Sequence, residues 1–109
     1  MHLIGMTQNI TFETALSAFV VAAQEKVNDS YKNYTNLTPP TLTTEFGSKN
    51  VKVVVNGQNQ RSVFCFVRRE DGAVLKAAGW KAPAKHVRGS IYVNNGRDAV
   101  TAYGANYLR

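Results

Sequence analysis

With a single cysteine, Cys65, the chain cannot build an intrachain disulfide framework. That predicts folding in a reducing compartment such as the cytosol. No apolar run approaches the ~18 residues a membrane helix needs. The longest, around 15–23, is interrupted by Ser17 and followed by Gln24, Glu25 and Lys26. Met1 to Met6 has neither a basic lead nor an adequate apolar stretch, so no secretory signal is expected. Metal ligands are scarce as well: two histidines, His2 and His86, and one cysteine make no zinc constellation. No Gly-rich phosphate loop of recognised spacing occurs.

Acids are also few. Seven Asp and Glu face thirteen Lys and Arg, a net charge of +6. The imbalance is confined to one half. Residues 1–48 carry Lys26 and Lys32 against Glu13, Glu25, Asp29 and Glu45, a net of −2. Residues 49–109 carry eleven Lys and Arg against Glu70, Asp71 and Asp98, a net of +8. Charge gathered this way marks either a polyanion binder or a solubilising surface.

What is present fits one globular domain over residues 1–109, with 44% hydrophobic and 18% charged residues. Thr11 has the chemistry of a helix N-cap, and Glu13 follows in the first turn, where its charge favours the helix dipole. Phe12, Leu16, Phe19, Ala23, Val27, Tyr31 and Tyr34 recur at spacings of three or four, which predicts one apolar stripe on a helix from about Phe12 to Tyr31. Asn33 to Ser48 is polar and Thr-rich and contains Pro39-Pro40, so an extended surface connection is expected, pinned by Leu37, Leu42 and Phe46. From Val51 the period changes. Val51–Val55, Arg61–Arg68 and Ala73–Ala78 are β-type runs, separated by turn signals at Asn56-Gly57 and at Arg69-Glu70-Asp71-Gly72. In the second run Val63, Cys65 and Val67 would face one way, and Phe64 and Phe66 the other. The helix would cover one face. Trp80, Ile91 and Tyr92 would cover the other, or Phe64 and Phe66 stay partly open as a stacking platform. Val93-Asn94-Asn95-Gly96 signals a further turn. Val100, Tyr103, Tyr107 and Leu108 would then pack a short helix or tail onto the sheet. The expected fold is α+β: one long N-terminal helix on a three- to four-stranded antiparallel sheet, then a basic loop and a short C-terminal helix or tail.

The segment from Val74 to Tyr92 is the densest in recognition chemistry. It holds the only tryptophan and four fixed positive charges without a carboxylate. Phosphates need flexible cations, and single-stranded nucleic acids add bases that stack on flat rings. Lys76, Lys81, Lys85 and Arg88 are therefore the candidate phosphate contacts. Trp80 and Tyr92 are the candidate stacking rings, and His86 could donate to a phosphate. Gly79 and Gly89 would allow tight turns or close approach. The competing expectation is a core tryptophan, loop-shaping glycines and lysines that face water. No RNP, KH or zinc-finger signature is present. Catalysis finds no support: Cys65 sits in an apolar strand pattern, where a thiol is a small hydrophobe. No enzyme, no cofactor and no metal is expected.

The pattern Lys-Ala-Ala-x-Trp-Lys-Ala-Pro-Ala-Lys-His-x-Arg-Gly-x-Ile-Tyr at 76–92 resembles a segment of small proteins encoded by tailed bacteriophages. Ser62 to Val67 and the closing Tyr103 to Arg109 resemble the same group, so the likeness covers about the C-terminal half. The group has no established activity. The resemblance implies a viral setting in the bacterial host cytoplasm, or association with the virion. The expected partner is DNA or RNA, with no membrane contact. The alternative is an accessory protein that docks on an acidic host or virion protein.

Overall fold

The computed structural model describes residues 11–106. The expected lead-in over 1–10 and the expected packing of Tyr107 and Leu108 lie outside them. Helix α1 spans Phe12–Ser30. Thr11 has extended backbone, and its Oγ1 accepts the Thr14 N–H at 3.1 Å, which starts the helix as the sequence predicts. Leu16, Phe19, Ala23 and Val27 of the stripe are buried, together with Ala15 and Ala22. Full burial of a side chain such as Phe19 stabilises by roughly 1.5–3 kcal/mol. The stripe fades at its end: Tyr31 is half-buried and Tyr34 is exposed.

Five strands follow in a meander: β1 Thr41–Phe46, β2 Asn50–Asn56, β3 Arg61–Arg68, β4 Ala73–Ala77 and β5 Pro83–Ser90. They pair antiparallel in the order β1-β2-β3-β4-β5. The class is as expected, but the strand count is five rather than three or four. The two extra strands are both edges. The Thr-rich half of the surface connection pairs with β2 along six residues. The supposed basic loop from Pro83 onward pairs with β4. Edge strands bury at most one face, so neither carries the apolar run that marks an inner strand. Of the three expected anchors, only Leu42 is buried; Leu37 and Phe46 are more than half exposed.

One register shift corrects the assignment of faces. Val53 pairs Cys65 and Val54 pairs Val63, leaving Phe64 as the extra residue of a bulge. Phe64 therefore joins Cys65 and Val67 in the helix-side core instead of pointing with Phe66. Val63 takes the opposite face.

The helix-side layer is completed by the C-terminal segment. Ile91 is buried there, not on the other face. Asn94, Asn95 and Gly96 take left-handed backbone at φ 51°, 56° and 74°, which Asn and Gly tolerate best, and so make the expected turn. A 3-10 segment Asn94–Ala99 leads to a ribbon of β6 Val100–Thr101 and β7 Gly104–Ala105. The Lys26 ammonium on α1 ties this segment down by donating to the Arg97 carbonyl and, at 2.6 Å, to the Val100 carbonyl. The layers are thus α1 with the C-terminal segment on one face of the sheet, and only the β4–β5 loop on the other.

Candidate nucleic-acid interface

That outer face is assembled by register. Lys52 stands opposite Phe66, Val54 opposite Val63, and Asn56 opposite Arg61. Lys52 and Arg61 therefore flank a short apolar floor. The β4–β5 loop closes on itself through the Ala78 and Gly79 N–H groups, which donate to the Ala82 carbonyl at 2.9 and 3.2 Å. The loop folds back across the sheet and lays Trp80 over that floor. The Lys52 ammonium lies 4.0 Å from the ring centroid, and the Arg61 guanidinium carbon lies 5.4 Å from it. Both cations attract the negative face of the indole. Trp80 is 41% exposed, so it is neither sealed in the core nor free of the sheet. Arg61 is further held by Glu45 of β1.

Beside this cluster lies an open recess of about 400 Å³, lined among others by Phe46, Lys49, Lys52, Phe66 and Lys81. Three lysines border it against one acid, Glu45. At its far rim Arg69 donates to the Gly47 carbonyl at 2.7 Å and stands 5.5 Å from the Phe46 ring. A cationic strip therefore runs from Arg61 through Lys52, Lys81 and Lys49 to Arg69, with two aromatic rings along it.

The seven residues singled out in the sequence do not converge. Trp80 and Lys81 belong to the strip. Lys76 is half-buried at the end of β4. Lys85 and His86 are exposed on the β5 edge. Arg88 has a structural role: its Nη1 donates to the Asn106 carbonyl at 2.6 Å, and its Nε is buried without a hydrogen-bond partner among the described residues. Tyr92 is at the other end of the hairpin, where its ring covers Gly72; a Cβ there would meet Tyr92 Cε2 at 2.5 Å. Gly89 likewise serves packing, with Ala99 Cβ at 2.6 Å from a would-be Cβ, while Gly79 has open space around it. The residues that sequence reasoning missed are Lys49, Lys52, Arg61 and Phe66. The one available signal was Lys52, a cation alternating with buried valines.

A model described as a family of unknown function (DUF7717) matches residues 6–107. The chain belongs to that family. The matched range takes in α1, all five strands and every residue of the cationic strip. Neither the comparison with curated proteins nor that with solved structures gives a match. No helix among the described residues is long and apolar enough to cross a membrane, and they hold no cluster of three or more metal-ligating side chains. Burial pushes the Cys65 thiol well above its usual range, which leaves no thiolate for nucleophilic work.

Proposed function

We propose that this protein binds single-stranded nucleic acid without catalysis, on the outer face of its sheet. The observation that carries the reading is the half-open Trp80 ring set among Lys52, Arg61 and Lys81. Backbone phosphates would follow the cations, and an unstacked base would lie on the indole. Base–aromatic stacking contributes ~1–3 kcal/mol per base. In a duplex the base faces are already stacked, so a ring of this kind favours single strands. A tailed-phage setting fits the reading, because replicating viral genomes expose single strands.

The test is titration of a labelled oligonucleotide at low salt, with Trp80 fluorescence as a second signal. Quenching with saturable binding is expected, and Trp80→Ala should weaken it by roughly 5- to 100-fold, the range of one stacking contact. No binding by the native chain overturns the proposal. An acidic protein surface could use the same cations without the ring, so binding unaffected by Trp80→Ala would favour that partner instead.

A further inference from the structure

We infer that two copies of this chain pair through their β1 edges into one continuous sheet. The backbone directions along β1 come first. Glu45 pairs Lys52, Thr43 pairs Val54, and the Gly47 N–H donates to the Asn50 carbonyl at 2.9 Å. Alternation then directs the N–H and C=O groups of Leu42, Thr44 and Phe46 away from β2. The Leu42 N–H shows that direction: it donates at 2.8 Å to the Gln24 side-chain oxygen, not to β2. Among the described residues no hydrogen bond occupies the N–H groups of Thr44 and Phe46.

The two edges of the sheet differ in protection. β5 carries Pro83, Lys85 and Arg88, and two register shifts break its pairing with β4. Those features discourage a further strand. β1, Thr41–Phe46, has no proline, no lysine and an unbroken six-residue register with β2. Such an edge is a template for another strand.

The sequence of β1 is complementary to itself. Antiparallel pairing centred on Thr44 sets Thr44 against its own copy, Leu42 against Phe46 of the partner subunit, and Thr43 against Glu45 of the partner subunit. Each opposed pair then lies on one face, and no like charges meet. Phe46 is 52% exposed and Val21 on the adjoining helix is 60% exposed. They border an open apolar groove of about 350 Å³ between α1 and β1, also lined by Leu16, Val20 and Leu42. Pairing would cover this apolar surface. Charge agrees: residues 1–48 carry a net of −2, so this basic protein would meet its copy through its least positive part. The symmetry axis stands perpendicular to the sheet, which puts both Trp80 clusters on the same side. Four strand spacings, ~20 Å across the sheet, would separate them.

Sedimentation of the nuclease-treated full chain, from low micromolar to several hundred micromolar, tests the inference. A monomer–dimer equilibrium is expected. Thr44→Pro removes an N–H that β2 does not use, and Phe46→Lys sets a cation against Leu42 of the partner subunit. Each should raise the dissociation constant at least tenfold, while Val87→Lys on β5 should leave it unchanged. Phe46 is a surface residue, so its variant serves even if Thr44→Pro does not fold. A monomer at every concentration overturns the inference. So does a dimer that neither variant weakens, or an open-ended assembly. Oligonucleotide affinity plays no part in these readings.

Discussion

Gly96 is pressed against the ring of Phe19. A Cβ on the glycine would stand 2.9 Å from Phe19 Cε1 and closer still to Cδ1, and its φ is +74°. The contact joins the 3-10 segment to the middle of α1 and so closes the helix-side layer over the sheet. Gly96→Ala meets both a backbone penalty and a clash with a fully buried ring. It should lower the unfolding free energy by about 2–4 kcal/mol, read from denaturant melts. An unchanged melt would mean that the C-terminal segment does not pack as described.

Salt dependence should separate the strip from the remaining cations. For single strands each phosphate contact contributes ~0.7 to the slope of log affinity against log salt. Lys52→Gln with Lys81→Gln should therefore flatten the slope by about 1.4. Lys85→Gln should change it little. Arg88→Ala should instead destabilise the fold, because Arg88 holds the Asn106 carbonyl. Its effect should appear in the melt before it appears in the slope.

Cys65 is fully buried on β3, and its thiol is held well above the usual range by desolvation. Aromatic disulfide reagents should label it no faster than the chain opens globally. Addition of denaturant should release one equivalent of thiol at the unfolding midpoint. Rapid labelling under native conditions would contradict the central position of β3.

The turn between β3 and β4 predicts a pH effect. The Arg68 guanidinium binds the Asp71 carboxylate in a fork at 3.0 and 2.8 Å, and the Ala73 N–H adds a third bond at 3.1 Å. Chiefly through the Arg68 hydrogen bonds, and then that of Ala73, the Asp71 carboxyl is held below the ordinary carboxylate range. Its contribution is present above that ordinary range and is lost as pH falls through the lowered folded value. The pair is well exposed, so the effect is small. Asp71→Asn should lower stability slightly at neutral pH and remove part of the decline seen in acid melts.

Much of this fold was legible because its signals are local. Thr11, the α1 stripe and the Asn94-Asn95-Gly96 turn each declare themselves within a few residues. The three inner strands carry β-branched runs because they are covered on both faces. The edge strands are half solvated and polar, and their identity depends on neighbours distant in sequence. The bulge at Phe64 is equally invisible to a period-two reading, since it exists only relative to β2. The candidate interface was half legible for the same reason. Trp80 and Lys81 stood out by composition. Lys52 and Arg61 meet the indole only because a five-residue loop folds back across two strands. Arg88 and Tyr92 looked equivalent to them in sequence, yet the hairpin turns one toward Asn106 and the other over Gly72.

Gln24 clasps the start of β1, receiving the Leu42 N–H and donating to the Pro40 carbonyl at 2.8 Å each. An amide side chain thereby acts as a one-residue sixth strand, welded to the helix. In deuterated water the Leu42 amide should keep its proton far longer than that of Thr44 two positions on. The outermost ribbon would then loosen from its middle, with its first rung released only when the helix lets go.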